Sequence, residues 1–413
     1  MISRMAAVAA ACVTGALLAT PAAPAGAATP GNWPQHGGGA ANDNHQPGTG
    51  GLDVRRQLWQ RQAGGDDTVG GAAVAGGALT VAYGKGALRR MDVRTGAVTV
   101  VGKLAGRRPQ QLADVDGALY VRSLDADGTR SRLASYDRAG TRRWEVALPD
   151  DDAILPFTVA GGHVLVTSGP KCRELCTGYH LRAYRTRNGT LAWSGAVDGD
   201  AGGAPAVAGD VVVQGAYGPV RGTGDGSGGA NLLFAFDLRT GVRQWTRIRP
   251  GFSLVGHRGS LLVSGAGPQA LCSLDPATGA ARWCRDTPVA DEWVDGLSAG
   301  GGAVFGYGLT GTVRRYHPAT GATAWSAPLA LPGYEYNALH APLVSGGGLV
   351  YAAVRHGNFT PSSEFTEIVV LRATDGHVVR RLRLAAYEDA SAELMLASGR
   401  LLLVGDRTVR AFG

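Results

Sequence analysis

The feature that most constrains the fold is a turn signature that recurs seven times. Its fullest form is Asp-x-x-Thr-Gly. The signatures end at Gly96, Gly140, Gly189, Gly241, Gly279, Gly321 and Gly376. Successive glycines lie 38 to 55 residues apart, a period typical of propeller blades. Glycine supplies the positive φ that ends such a turn, and aspartate accepts hydrogen bonds from the turn's own amides. Each signature therefore predicts a hairpin turn within a repeated unit.

A tryptophan follows five of these glycines by four residues. The five are Trp144, Trp193, Trp245, Trp283 and Trp325. The same large ring at the same offset predicts packing between neighbouring blades. A second hairpin with apolar strands precedes each turn, as from Val74 to Val81. Two hairpins per repeat predict a four-stranded antiparallel blade. The 64 glycines in 413 residues disfavour helices, because each glycine costs a helix about 1 kcal/mol relative to alanine.

The two ends of the chain supply an eighth blade between them. Residues 394–412 provide three strands, and the segment from Asp53 to Arg61 provides a fourth, with Trp59 but without a preceding turn signature. Joining them removes open sheet edges that invite aggregation. The sequence predicts an all-β, eight-bladed propeller of four-stranded antiparallel blades, closed by N- and C-terminal strands that share the last blade. This single domain spans 53–413, and an N-terminal extension spans 28–52.

The first 27 residues are typical of a secretory signal peptide. Arg4 precedes an apolar stretch from Met5 to Thr20, and Ala25-Gly-Ala27 is a small-residue cleavage site. The apolar stretch is too short to span a membrane well. We therefore expect a secreted, extracytoplasmic protein.

Four cysteines remain after removal of the signal peptide, an even number that suits an oxidising compartment. Cys172 and Cys176 close a short loop, while Cys272 and Cys284 flank a turn that places them on facing strands. We predict two local disulfides with these pairings. A metal site at Cys172 and Cys176 is the alternative, but no second cysteine or histidine pair has zinc-ligand spacing.

The pattern D-x-x-T-G-x-x-x-W, clearest from Asp237 to Trp245 and from Asp275 to Trp283, resembles the pyrroloquinoline-quinone-like (PQQ-like) repeat family. The opening segment from Asn32 to Gly38 is also similar to that family. The resemblance implies either a quinone-dependent dehydrogenase or a non-catalytic propeller that scaffolds assemblies at bacterial envelopes.

The dehydrogenase branch implies a disulfide between adjacent cysteines above the quinone, and a calcium ion held by acidic and amide side chains. This chain has no adjacent cysteine pair and no recognisable set of calcium ligands. We therefore expect no PQQ, no calcium, no other metal and no catalytic residues. A PQQ-dependent oxidoreductase and a glycan-cleaving enzyme that uses two carboxylates remain the alternatives.

Acidic side chains concentrate in the segments that join one blade to the next. These eight segments hold 16 acidic and 8 basic residues, although the whole chain holds 33 acidic and 40 basic ones. Such connectors meet on one face of a propeller. We expect an acidic and aromatic mouth there that includes Asp150, Asp151, Asp152, Asp291, Glu292, Trp293, Asp295, Tyr334, Glu335 and Tyr336.

Carboxylates beside aromatic rings suit a sugar or a cationic peptide, so we expect a protein or glycan partner at this mouth. Arginines flank the tight turns of the opposite face, among them Arg94, Arg138 and Arg239. Guanidinium groups form paired bonds with phosphate, so this face suits an anionic cell-wall polymer. Secretion argues against nucleic acid as the partner. We expect the protein to be a monomer.

Overall fold

The computed structural model describes residues 30–48, 51–104, 106–149, 155–170, 178–219, 229–249, 253–265, 270–286, 294–308, 311–334, 336–357, 364–384 and 392–413. These residues form 33 strands in eight sheets, arranged as the blades of a propeller. The described part of the chain contains no helix, and therefore no helix there is long and apolar enough to span a membrane.

The first four complete blades follow one another along the chain. Blade 1 contains β3 (Val69–Ala75), β4 (Ala78–Tyr83), β5 (Ala87–Asp92) and β6 (Val98–Lys103). Blade 2 contains β7 (Arg107–Val115), β8 (Ala118–Asp125), β9 (Ser131–Asp137) and β10 (Arg142–Ala147). Blade 3 contains β11 (Thr158–Ala160), β12 (His163–Ser168), β13 (Tyr179–Arg185) and β14 (Leu191–Val197). Blade 4 contains β15 (Asp200–Ala208), β16 (Val211–Pro219), β17 (Gly229–Asp237) and β18 (Arg243–Ile248).

Three further blades keep the same antiparallel order. Blade 5 contains β19 (Ser253–His257), β20 (Ser260–Ser264), β21 (Leu271–Leu274) and β22 (Ala281–Arg285). Blade 6 contains β23 (Val294–Gly300), β24 (Ala303–Gly308), β25 (Thr312–Tyr316) and β26 (Thr323–Pro328). Blade 7 contains β27 (Tyr336–Gly346), β28 (Leu349–Gly357), β29 (Phe365–Arg372) and β30 (Val378–Arg383). The short strand β1 (His45–Gln46) adds to β27 in parallel.

Blade 8 closes the ring. It joins β31 (Glu393–Ala397), β32 (Arg400–Val404) and β33 (Thr408–Phe412) from the C-terminus to β2 (Gln57–Gln62) near the N-terminus. Strands β2 and β33 are antiparallel, with Gln57 opposite Phe412 and Gln62 opposite Thr408. The predicted eight blades and their closure by both ends of the chain are confirmed.

The repeated tryptophans pack between neighbouring blades, as predicted, at six of the eight junctions. Each indole N–H donates to a backbone carbonyl in the following blade's tight turn. The six acceptors are the carbonyls of Val93, Thr186, Leu238, Pro276, Pro318 and Ala373, at 2.8 to 3.1 Å. The turn glycine lies against the ring: a Cβ at Gly241 would stand 2.5 Å from Trp193. Glycine is needed there both for this contact and for its φ of +72°.

Cys272 and Cys284 form the disulfide that the sequence predicts. They stand directly opposite each other on β21 and β22. Cys172 and Cys176 lie outside the described residues, so their pairing remains a prediction. The signal peptide predicted over 1–27 also lies outside them.

Residues 31–46, which we call the plug, lie across the central channel and contact all eight blades. Their carbonyls accept hydrogen bonds of 2.7 to 3.1 Å from the backbone N–H groups of Val74, Asp114, Val207, Gly256, Ala299, Ser345 and Ser398. Blade 3 is held instead by the Gln35 side chain, whose Oε1 accepts from the Val159 N–H at 2.7 Å. The plug thus satisfies backbone groups that the inner strands turn toward the channel.

Candidate functional site

The plug closes one end of the channel. The opposite face, which carries the blade connectors, is called the open face. The plug contacts the first, innermost strand of each blade at or near the last residue of that strand, beside the turn that leads to the second strand. The channel is therefore closed on the face that carries the tight turns. Its other end faces the blade connectors, where the sequence predicts the acidic mouth. Loops on a rigid scaffold are common binding sites, so the open face is the candidate functional surface.

Most of the predicted mouth residues lie outside the described part of the chain. These are Asp150, Asp151, Asp152, Asp291, Glu292, Trp293 and Glu335. Asp295 and Tyr336 lie on strands β23 and β27, but their side chains are also outside it. The clustering of these groups therefore remains a prediction.

Tyr334 is the predicted mouth residue whose side chain is described. Its half-buried ring lies edge-on to Phe365, at 5.3 Å between centroids, and 5.7 Å from the ring of His356. The Arg383 guanidinium lies 3.7 Å from the centroid of Phe365. Blade 7 therefore presents an aromatic and cationic cluster beside Tyr334, a combination that favours stacking contacts.

A buried ion pair supports this cluster from below. His356 is fully buried, and its Nε2 lies 3.2 Å from Glu367 Oε2, which also accepts a 2.8 Å bond from Arg381. Burial favours the neutral acid, but the bonds from His356 and Arg381 outweigh it and lower the pKa of Glu367. The carboxylate therefore stays charged and holds both partners in place.

A cavity of about 340 Å³ occupies the channel above the plug. Blades 8, 1 and 2 and the segment leading into blade 3 surround it. His36 rises from the plug at its floor, and His36 Nδ1 lies 3.5 Å from Oε1 of Glu393, at the start of β31. Burial disfavours the charged imidazole, but the Glu393 carboxylate outweighs it and raises the pKa of His36.

This histidine–glutamate pair was missed in the sequence. The two residues are 357 positions apart, and neither belongs to a spaced motif. Each residue had a separate signal: His36 lies in the opening segment from Asn32 to Gly38 that resembles the family, and Glu393 lies in the last of the eight acidic connectors.

Among the described residues, the disulfide and the acidic side chains do not match what the resemblance implies for a quinone enzyme. The Cys272–Cys284 disulfide joins the third and fourth strands of blade 5, whereas the first strand of each blade faces the channel. Among the described residues no group of three His, Cys, Asp or Glu side chains is placed to hold a metal ion. We therefore derive no step through PQQ or calcium.

The opposite face carries exposed arginines beside its tight turns, whereas two other arginines of the repeats are buried. Arg94, Arg138 and Arg239 are exposed beside the tight turns. Arg182 and Arg314 are buried within blades 3 and 6. An anionic partner on this face would meet the first set and not the second.

Comparison with solved structures shows the fold alone, because all identities are low. BamB from Moraxella catarrhalis is 16% identical, with a TM-score of 0.59 over 86% of this chain and 97% of that one. The quinohemoprotein alcohol dehydrogenase ADHIIG from Pseudomonas putida HK5 is 14% identical, with a TM-score of 0.64 over 93% of this chain and 80% of that one. The computationally designed Ika8 protein is 16% identical, with a TM-score of 0.62 over 87% and 99%.

No curated protein matches the chain at a significant level. A family model described as outer membrane protein assembly factor BamB matches residues 129–292 and 309–413, which is more than half of the sequence. The chain therefore belongs to this family of PQQ-like β-propellers.

Proposed function

We propose that this protein is a non-catalytic binding or scaffolding propeller that works outside the cytoplasm, at the cell envelope. The observation that carries the proposal is the plug, which closes one end of the channel through contacts with all eight blades. The result is a rigid disc with one recessed face framed by connectors, a suitable platform for a partner. Family membership supports an envelope role.

The proposed partner is a protein or a glycan that contacts the acidic and aromatic mouth. The half-buried ring of Tyr334 supports this, since the face of an aromatic ring packs against the C–H groups of a sugar or against a cationic side chain. Negative potential around the mouth would also accelerate capture of a positive partner at low salt.

Pull-down from envelope extracts tests the mouth. One variant combines Asp150→Asn, Asp151→Asn and Asp152→Asn, and a second combines Asp291→Asn, Glu292→Gln and Asp295→Asn. We expect both to lose capture of the wild-type partner. A control with Arg94→Gln, Arg138→Gln and Arg239→Gln on the opposite face should retain it. Equal capture by wild type and both acidic variants would contradict the proposal.

The proposed location outside the cytoplasm rests on the signal peptide predicted over 1–27. N-terminal sequencing of the protein recovered from the culture medium or envelope fraction tests it, with Ala28 expected as the first residue. An intact N-terminus on protein confined to the cytoplasm would contradict it.

Spectral titration with PQQ and calcium addresses the oxidoreductase alternative. We expect no saturable change in the quinone absorbance. Stoichiometric binding would overturn the non-catalytic proposal.

A further inference from the structure

The cavity above the plug has the size and composition of a small-ligand site. Its volume of about 340 Å³ lies at the lower end of the range for ligand pockets, roughly 300 to 1,000 Å³. It contains polar side chains at the floor and apolar ones along the wall, including Leu155, Pro156 and Val404. Such a mixture orients a ligand through a few polar groups while the wall contacts its apolar surface.

The two polar groups at the floor do not satisfy each other. His36 Nδ1 and Glu393 Oε1 are 3.5 Å apart, longer than the roughly 2.7 to 3.2 Å of an ordinary N–H···O bond. Oε1 of Glu393 is buried and has no hydrogen-bond partner. An unsatisfied buried acceptor is costly, so a hydroxyl that reaches both the imidazole and the carboxylate from the side of the cavity would be stabilised.

The chemistry of the pair selects the kind of group. The Glu393 carboxylate only accepts hydrogen bonds, and because it raises the pKa of the nearby imidazole, His36 Nδ1 is favoured as a donor. A hydroxyl is able to accept from one and donate to the other. A ligand carboxylate would be repelled by Glu393, and an ammonium group has no lone pair for His36.

Part of the cavity wall is bare backbone. Gly70 lies on β3, and a Cβ there would stand 2.0 Å from the carbonyl oxygen of Pro109 on β7. At Gly71 a Cβ would stand 2.6 Å from the backbone nitrogen of Leu112. Blades 1 and 2 therefore approach closely here, and their backbone forms this side of the cavity.

We propose that this cavity binds a neutral polyhydroxylated ligand the size of a monosaccharide, with one hydroxyl bridging His36 and Glu393. The ring's C–H face would lie against the apolar wall formed by Leu155, Pro156 and Val404. The inference is independent of the partner proposed for the mouth, because it rests on His36 and Glu393, which are not among the mouth residues varied above.

NMR titration of the full mature chain tests the proposal. The probes are glucose, N-acetylglucosamine and myo-inositol, with acetate and methylammonium as acceptor-only and donor-only comparisons. We expect at least one of the three hydroxylated probes to shift the His36 imidazole resonances saturably, and neither comparison compound to do so. In His36→Gln and Glu393→Gln, ligand-observed titration should show affinity at least about tenfold weaker, since each variant replaces a charged hydrogen-bond partner with a neutral, differently shaped amide.

Two further variants keep the test decisive. Asp66→Asn alters an exposed residue that does not line the cavity and should bind like wild type. Gln110→Trp narrows the cavity from an exposed lining position and should weaken binding even if changes at the plug disturb folding.

Three results would overturn the proposal. The first is the absence of any shift with the hydroxylated probes, as expected for a cavity that holds only water. The second is an equal response to acetate or methylammonium, and the third is unchanged affinity in the cavity variants. Failure of the mouth proposal is read separately, from the pull-down.

Discussion

Asp43 in the plug provides a sharp test of how the channel is closed. It is only 8% exposed. Its Oδ1 receives one long hydrogen bond, 3.4 Å from the His45 N–H. Burial raises the pKa of Asp43 from its ordinary 3.8 to about 7, and the backbone bonds offset only part of this. The plug therefore favours the protonated acid.

This pKa shift makes stability depend on pH in a defined direction. Between about pH 4 and pH 7 the unfolded chain has released the Asp43 proton while the folded chain still binds it. The folded state then binds more protons, so the free energy of unfolding falls as pH rises. A difference of about 3 pKa units, at about 1.4 kcal/mol each, corresponds to roughly 4 kcal/mol above pH 7.

Asp43→Asn removes this penalty, because the amide cannot ionise. We expect the variant and wild type to be similar at pH 4, and the variant to be more stable by roughly 4 kcal/mol at pH 8. Urea unfolding followed by tryptophan fluorescence at several pH values measures the difference. Comparison with wild type cancels the separate contribution of His36, whose raised pKa also makes stability decline as pH rises.

Asp53→Asn, at a half-exposed carboxyl, is the matched control and should show no such pH-dependent gain. A stability difference between Asp43→Asn and wild type that stays constant from pH 4 to pH 8 would refute the reasoning.

Three other substitutions test the packing by urea unfolding. Gly241→Ala forces a Cβ to within 2.5 Å of Trp193 at a φ of +72° and should lower the free energy of unfolding by about 2 kcal/mol or more. Its control, Gly102→Ala, places a Cβ where nothing lies within 4 Å and should be nearly neutral. Equal effects would contradict the blade-to-blade contact. Trp33→Ala removes a fully buried ring and should lower the free energy of unfolding by about 3 to 5 kcal/mol. A decrease below about 1 kcal/mol would show that the plug is not part of the folded core. The double variant Cys272→Ser and Cys284→Ser opens a loop with a sequence separation of 12 and should lower the free energy of unfolding by about 3 kcal/mol. Unchanged stability under oxidising conditions would exclude the disulfide.

The ring of blades was predictable because its contacts repeat at fixed sequence offsets. Five of the six tryptophans that make these bonds between blades stand four residues after their own turn glycine, and each of these indoles reaches a carbonyl in the next blade's turn, as Trp193 reaches Leu238. The Cys272–Cys284 disulfide was predictable for the same reason, since a tight turn fixes the cross-strand register. Local spacing thus carries information about both blade structure and blade packing.

The plug was not predictable, because its contacts are largely made by backbone atoms. Seven of the eight inner strands are held by plug carbonyls, a role that any residue with the right conformation performs. The segment therefore has neither the alternation of a strand nor the turn signature of a blade. His36 and Glu393 are 357 positions apart in the sequence and are neighbours only in the closed ring of blades. No local sequence pattern therefore joins them.

The division between the ring of blades and the plug also explains how the connector face can vary in sequence. The blades rely on repeated glycine and tryptophan contacts, and the channel end is closed by main-chain hydrogen bonds. Neither constrains the side chains of the connectors on the open face. His36 projects from the plug and Glu393 from the start of β31, so the pair depends on the plug and on blade 8. On the two proposals above, the connectors would select a large partner, and the plug and β31 would orient a small ligand.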